Sequence, residues 1–325
     1  MSTQPRVVVV GSYNHDHIWR VDRFPRAGET RLGNDFQVGA GGKGFNQAVA
    51  SRRQGADTLF VGAIGDDHVG ASARRIAEEA ELDCRWQVAS NRPTAATCVL
   101  VDGEGRNEIV VNPAANEALS PAFVAGQADA LGAGGVLLVQ METPLATVRE
   151  ALRLAGEAGM VRVLNPAPVH ADADASLLAQ CDVLTPNETE FAQLLVQLGG
   201  RSLDADQLAG TGDAALHALC RTLAVPTVIV TLGAHGCFVS HADAGGTHGD
   251  DASYYRVAAE AVRPVDTTGA GDAFNGALAA AMLRLAGQSL RTMVAAAGRA
   301  AALSTERRGA SAAMATLDEV RKRFS

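Results

Sequence analysis

The chain has 325 residues, 47% of them hydrophobic and 4% aromatic, with a formal net charge of −8. That length buries a large core and sits near the upper end for a single domain. The negative charge argues against a nucleic-acid partner, whose phosphates demand clustered Lys and Arg, but a small phosphate-bearing substrate remains open, because a few backbone amides and one cation can hold it.

Arg6 to Val10 is an apolar, β-branched run that ends at Gly11 and predicts a buried first strand. Residues 13 to 38 are polar and rich in turn formers (Pro25, Gly28, Gly33), and predict short exposed strands outside the main sheet. A glycine cluster, Gly39 to Gly44, precedes a helix from about Phe45 to Gln54. Thr58 to Val61 reads as a strand and Val69 to Glu79 as a helix. Thr97 to Asp102 and Glu108 to Asn112 form a hairpin around Gly103-Glu104-Gly105. A helix follows from Pro121 to Leu131, with Ser120 as N-cap and proline at the first helical position. Gly135 to Val139 is a strand, Pro144 to Ala158 a helix and Val161 to Leu164 a strand. After strand Val183 to Leu184 come helices Glu188 to Leu198 and Asp213 to Leu223. Thr227 to Val230 and Cys237 to Val239 are strands, and the chain is mainly helical after Asp266. The segment from His241 to Asp251 reads as a mobile surface loop.

Strand and helix alternating in this way imply an α/β fold with a mostly parallel sheet. The two early β-rich stretches, 13–40 and 95–113, interrupt the rhythm. They can pair as a small lid over the carboxyl edge of the sheet, where such folds bind ligands. Five scattered cysteines (Cys84, Cys98, Cys181, Cys220, Cys237) form no C-x-x-C pair and read as buried small hydrophobes in a reducing compartment. No signal peptide and no membrane-length apolar window is seen, so the expected location is the cytoplasm.

The strongest local signal is Val265-Asp266-Thr267-Thr268-Gly269-Ala270-Gly271-Asp272-Ala273-Phe274-Asn275-Gly276. A turn of small residues leads into an alanine-rich helix, whose free amides and positive dipole end can stabilise a developing phosphate charge. Asp272, in the first turn, can accept a proton from an attacking hydroxyl. The plain alternative is an N-capping aspartate, and Gly210-Thr211-Gly212-Asp213 is read as that kind of look-alike. The second signal is Gly41-Gly42-Lys43-Gly44-Phe45-Asn46. It fails as a P-loop, because glycine follows Lys43 where Ser or Thr is needed, and as a Rossmann fingerprint it is misplaced relative to the first strand. A flexible turn is the remaining alternative to a sugar or phosphate grip by Lys43 and Asn46.

These segments resemble the ribokinase-like (PfkB) carbohydrate kinases, in order along nearly the whole chain. Gly11 to Asp16 resembles the sugar-binding N-terminal motif; Phe24-Pro25 and Gly28-Glu29-Thr30 match the lid, and Gly41 to Ala48 the first signature. Val139-Gln140-Met141-Glu142 and Asn165-Pro166-Ala167-Pro168 match the central strands. Thr185 to Glu190 and Thr231 to Gly236 match the nucleotide side, and Asp266 to Asp272 the second signature. The resemblance implies ATP-dependent transfer of a phosphoryl group to a primary sugar hydroxyl, with ribose the leading substrate. Another pentose, a ketohexose or a nucleoside is the same-class alternative, and a catalytically silent sugar sensor the different-class one.

Residue by residue, the resemblance assigns sugar hydroxyls to Asn14, Asp16, Gly42, Lys43, Asn46 and Glu142, with help from Asp266. It makes Gly269, Ala270 and Gly271 the anion hole and Asp272 the base. Asn187, Thr231, Gly233, Gly236, Gly271 and Gly298 fall on the ATP site. Glu190 would organise the water shell of Mg2+, and Asp266, Thr268 and Gly309 would surround K+. Taken singly, several have plainer readings: Asn14 and Asp16 as turn formers, Glu142 as a helix-start acid, Asn187 and Glu190 as a capping arrangement, and His15, His17 and His235 as solvated or packed histidines. Four positions depart from the family pattern. Phe45 and Tyr13 replace smaller residues beside the sugar site, Val111 to Asn116 replaces a segment with His and Gly, and Gly298 stands where Asn or His is frequent. A lid-to-lid homodimer is expected, with Ile18, Val21, Phe36 and Val38 at its interface.

Overall fold

A computed structural model describes residues 5–131, 135–200, 202–243 and 249–324. The chain opens with β1 (Val7–Val10), whose four valines are all buried. It then leaves the core for β2 (Asn14–Arg20) and β3 (Asp35–Gly41) before entering α1 (Lys43–Arg53). β4 (Thr58–Gly65), α2 (His68–Glu79) and β5 (Asp83–Ala89) follow. Asp67 caps α2 by accepting from Gly70 N at 2.7 Å. The hairpin of β6 (Ala96–Val101) and β7 (Asn107–Asn112) forms where the turn residues place it.

The chain continues through α3 (Pro121–Ala125), β8 (Val136–Val139), α4 (Leu145–Glu157), β9 (Val161–Leu164), α5 (Ala175–Leu178) and β10 (Val183–Leu184). Then come α6 (Glu188–Gly199), α7 (Asp213–Arg221), β11 (Thr227–Thr231), β12 (Cys237–His241) and β13 (Tyr254–Val257). α8 (Ala270–Arg284), α9 (Leu290–Ser304) and α10 (Leu317–Phe324) complete it.

The large sheet has nine strands in the order β13-β12-β11-β10-β9-β8-β1-β4-β5. It is parallel from β5 to β11, and β12 and β13 add antiparallel at one edge. Alternation along β1 sends Val7 and Val9 into one apolar layer, with α1, α8 and α9, and Val8 and Val10 into the other, with α4, α6 and α7. Both faces of the sheet are covered, as the apolar strand runs require. Among the described residues no helix is long and apolar enough to cross a membrane.

The second sheet has four strands, β3-β2-β6-β7, from the two early β-rich stretches. Its central pair, β2 and β6, is parallel, and both outer pairs are antiparallel. Register separates its faces, since paired residues share a face and neighbours alternate. Trp19 faces Phe36, and His17 faces Val38, on the outward side. Ile18 pairs with Gln37 and shares the opposite face with Asp16. The expected grouping of Ile18 with Phe36 and Val38 is therefore corrected: one strand position separates them, and that flips the side chain.

Three other expectations need correction, and one strand, β5, was not expected. The Pro121 helix ends at Ala125 and continues only as a 3-10 turn over Ala128–Ala130, because Gly126 interrupts it. β5 carries polar residues at alternate positions and gives no apolar run; it is an edge strand, held by its pairing with β4. Cys98 is exposed, since it lies on the outward face of the small sheet. The segment from His241 to Asp251 is not a surface loop at its ends. His241 is the last residue of β12 and Asp250 is buried, with His241 Nε2 and Asp250 Oδ2 3.0 Å apart. Residues 244–248 of that segment lie outside the described residues.

Candidate active site

β1 and β8 lie side by side, yet the sequence continues from β1 toward β4 and from β8 toward β9 on the other side. At such a switch the carboxyl ends diverge and leave a crevice. Ser12 and Asn14 follow β1, Gln140 and Glu142 follow β8, Asn165 follows β9 and Asn187 follows β10. α1 and α8 cross closely beneath the crevice. A Cβ at Gly276 would stand 2.2 Å from the Gln47 carbonyl oxygen, so glycine is required at the crossing.

α1 begins in the glycine cluster, with Gly42 at its N-cap and φ of 87°. A Cβ there would lie 2.8 Å from Asn14 N, and one at Gly41 would lie 2.0 Å from Asp16 Oδ2. The two glycines thus leave room for the Asp16 carboxylate and the Asn14 backbone. Glu142 Oε2 accepts from Ser12 Oγ at 2.5 Å and from Lys43 N at 3.0 Å. It does act as a helix-start acid, but for α1 rather than for the α4 that follows it in sequence.

Lys43, Asn46 and Gln47 stand at i, i+3 and i+4, on one face of α1. Asn46 Nδ2 donates to Asp272 Oδ2 at 2.9 Å, and Gln47 Nε2 to Asp272 Oδ1 at 3.0 Å. Gln47 also donates to Asn165 Oδ1 at 3.0 Å and accepts from Gln140 at 2.5 Å. The buried Asn46 Oδ1 has no partner among the described residues, so it can accept from a substrate hydroxyl. Gln47, Gln140 and Asn165 fall within the quoted motifs but carried no assigned role. The signal for Gln47 was its helical spacing from Lys43.

Asp272 is 6% exposed, and burial holds its carboxyl above the ordinary range, with Glu142 adding to the rise. Lys43, Gln47 and Asn46 oppose the shift. Asp16 is pushed up to about 6, by burial first and then by Glu142 and Asp272. Burial pulls Lys43 down, but Asp272, Glu142 and Glu190 outweigh it and hold its pKa above the usual lysine value. The crevice thus gathers acidic groups around one cation.

The start of α8 supplies the anion site. Gly269 is its N-cap in the left-handed region, at φ of 76°. The expectation that Gly269, Ala270 and Gly271 all offer free amides is corrected in one place: Ala270 N donates to Thr267 O at 3.1 Å. The N–H groups of Gly269, Gly271 and Asp272 find no acceptor among the described residues. Gly269, Ala270, Gly271 and Asp272 line one cavity with Lys43, Asn187, Glu190 and Thr231.

On the nucleotide side, Asn187 and Glu190 form a reciprocal capping box, with Glu190 N to Asn187 Oδ1 at 2.8 Å and Asn187 N to Glu190 Oε2 at 2.9 Å. The plainer reading of the pair therefore holds, and both residues line the cavity as well. Burial raises the Glu190 carboxyl, against the Asn187 N–H and Lys43. Gly233 and Gly236 flank the turn after β11, at φ of 50° and 82°. A Cβ on Gly236 would stand 2.0 Å from Val257 O, so packing against β13 requires glycine there. Gly298, on α9, faces open space within 4 Å. The look-alike Gly212-Asp213 simply opens α7, where Asp213 pairs with Arg256 at 2.7 Å.

Asp266 is turned onto its own loop. It accepts from Thr268 N and Gly309 N, each at 3.0 Å. Burial raises its carboxyl, yet the bonds from Thr268 and Gly309, with Arg20, hold it below the ordinary range. Each of its two oxygens thus takes one N–H of the loop and keeps further acceptor capacity.

Phe45 and Tyr13 point away from the crevice. Both are fully buried, with ring centroids 5.2 Å apart, and Phe45 also packs on Phe60 at 5.6 Å. Trp86 of β5 completes the cluster, 5.7 Å from Tyr13. The two large residues therefore fill the core under the site and do not line the cavity.

A model of the pfkB family of carbohydrate kinases matches residues 4 to 317. A ribokinase from Haemophilus influenzae is 34% identical over 314 residues, covering 96% of each chain. Among solved structures, a ribokinase from Giardia lamblia superposes with a TM-score of 0.86 at 28% identity, covering both chains fully. A ribokinase from Arabidopsis thaliana, complexed with ribose and ATP, gives 0.79 at 30% identity over 99% of each chain.

Proposed function

We propose that the chain, which belongs to the pfkB family of carbohydrate kinases, phosphorylates D-ribose with ATP, giving D-ribose 5-phosphate and ADP. One observation carries the reading. A buried carboxylate, Asp272, is held by Asn46 and Gln47 at the start of a helix whose amides lack acceptors. Ribose is favoured because relatives alike over nearly the whole chain are ribokinases, one of them complexed with ribose and ATP. The intact base and anion turn speak against a silent sugar sensor.

In this reading Asn14, Asp16, Lys43, Asn46 and Glu142 hold the sugar so that its primary hydroxyl meets Asp272. Asp272 takes the hydroxyl proton, and the oxygen attacks the γ-phosphorus in line as the bond to the β-phosphate oxygen breaks. The N–H groups of Gly269, Gly271 and Asp272 meet the charge on the transferred group. Such positioning and charge stabilisation account for most of the catalysis of phosphoryl transfer. Asn187, Thr231, Gly233 and Gly298 border the ATP.

A coupled ADP-release assay across a sugar panel tests this. A site built for hydroxyls rejects analogues lacking one, because a buried partner such as Asn46 Oδ1 stays unpaired. Ribose should exceed 2-deoxyribose in kcat/KM by roughly tenfold or more. Preference for 2-deoxyribose or a nucleoside would overturn the substrate.

The residues suit two cations. Mg2+ keeps its waters and binds mainly through substrate phosphates, so it needs few protein ligands. Glu190 would order those waters, and the ion supplies neutralisation of phosphate charge. The carbonyl oxygens of Asp266, Thr268 and Gly309 accept no hydrogen bond from described residues, which fits K+. Turnover should require Mg2+ and rise with K+; equal rates in sodium and potassium buffers would remove the K+ site.

The outward face of the small sheet supports a lid-to-lid homodimer. Phe36 and Val38 are each 49% exposed there, and Val110 71%, an apolar surface that a monomer leaves in water. Sedimentation should give a dimer at micromolar concentration, and a monomer alone would count against it. Five unpaired cysteines suit the cytoplasm.

A further inference from the structure

We propose that Asn116 is a positioning residue of the sugar site, fixing which end of the Asn14 amide faces the substrate. The proposal rests on the sugar-kinase reading above. Asn116 is 1% exposed and sits on the 3-10 turn Ala114–Ala118, directly after β7. Its side chain makes three hydrogen bonds. Tyr13 N donates to Asn116 Oδ1 at 3.1 Å, and Asn116 Nδ2 donates to Tyr13 O at 3.1 Å and to Asn14 Oδ1 at 2.9 Å.

Two of these partners are backbone groups, which cannot exchange donor for acceptor. An amide N–H must meet Oδ1 and a carbonyl must meet Nδ2, so the Asn116 amide has one orientation. Its second N–H then demands an oxygen from Asn14. Asn14 is left with Nδ2, which has no acceptor among the described residues. Asn14 and Asp16 stand at i and i+2 on β2, hence on one face of the small sheet. That face offers a substrate oxygen one N–H donor and one carboxylate acceptor. A hydroxyl satisfies both; an ether or carbonyl oxygen satisfies only the first.

The turn carrying Asn116 is strained. Ala114 has φ of 39°, a region that favours glycine. It is held by Ala115 N donating to Pro93 O at 3.0 Å and by the burial of Ala114, Ala115 and Leu119. Strain of this kind persists where the surroundings over-determine it, often beside functional groups. Here the turn delivers Asn116 to the point where β2 leaves the core.

Steady-state kinetics and thermal melts of three variants test the proposal. Asn116→Ala should raise the sugar KM roughly tenfold or more, with the ATP KM and kcat at saturating sugar nearly unchanged. Because Asn116 acts through Asn14, the Asn14→Ala/Asn116→Ala double variant should match Asn14→Ala alone. Asn14→Asp still accepts from Asn116 but buries a carboxylate near Asp16, so it should melt below wild type at neutral pH, and it should lose sugar affinity because an acceptor replaces the donor. A lowered Tm with unchanged sugar KM in Asn116→Ala, additive single effects, or wild-type sugar binding by Asn14→Asp would each overturn it. Asn14→Asp decides the matter if Asn116→Ala fails to fold. A wild-type protein that turns over no sugar overturns the kinase reading itself, and the proposal with it.

Discussion

Asp272→Asn is expected to lower kcat by about two to four orders of magnitude, while sugar binding and the fold persist. The substitution keeps the shape and removes the proton acceptor. It also places an NH2 where Asn46 Nδ2 and Gln47 Nε2 now donate to the two carboxylate oxygens. One of those contacts becomes donor against donor. The new amide can keep its oxygen toward Asn46, which leaves Asn46 Oδ1 free for the sugar and puts the mismatch on Gln47. Gln47 keeps Asn165 Oδ1 as its other acceptor.

The stability side of this prediction has a definite sign. Burial raises the Asp272 carboxyl, so the native protein binds that proton more tightly than the unfolded chain does. Stability therefore falls as pH rises from the ordinary aspartate range through the folded-state value. At neutral pH the ionised group costs stability, which a neutral amide does not. The variant should melt at or above the wild-type temperature at pH 7. The turnover of the wild type should fall at acid pH, as Asp272 takes up its proton. Near-wild-type kcat in the variant would remove Asp272 as the base.

Sequence patterns reached the parts of this molecule that local chemistry dictates. Alternating apolar runs gave the parallel sheet, and two small-residue turns before helices pointed to Lys43, Asn46 and Asp272, which the fold brings together. Long-range partners were less legible. Gln47 to Asp272 spans 225 residues and Asn116 to Tyr13 spans 103, and no local pattern encodes such a pair. The direction of a side chain was easier to read. Phe45 follows Lys43 by two positions, which on a helix turns it to the far side, into the aromatic cluster with Tyr13 and Phe60. Asp266 shows the limit set by long-range partners again. Its motif suggested a ligand-binding carboxylate, and no local pattern announced that the return of the chain at Gly309 gives it an N–H partner.

Gly271→Ala is expected to fold normally and to lose about a hundredfold in kcat. The glycines around the crevice differ in why they are glycines. At Gly41, Gly44 and Gly276 a Cβ would come within 2.0, 2.6 and 2.2 Å of protein atoms, so packing alone forbids a side chain. At Gly271 a Cβ meets nothing within 4 Å. The position is the second residue of α8, with no positive φ. Alanine there is compatible with the helix and gains at most about 1 kcal/mol in helix propensity. Packing therefore gives no reason for glycine, whereas the cavity does: Gly271 lines it, and its N–H has no acceptor. A phosphoryl group drawn to that N–H must share its space with the new methyl group. A displacement of about 1 Å from the in-line geometry suffices for a loss of about a hundredfold. Sugar affinity should stay, because Asn14, Asp16 and Glu142 are untouched. Gly276→Ala is the control, destabilised by its clash with the Gln47 carbonyl oxygen. Melting temperature and kcat at saturating ATP separate the two variants. Wild-type turnover by Gly271→Ala would mean that the transferred group passes the crevice without touching the start of α8.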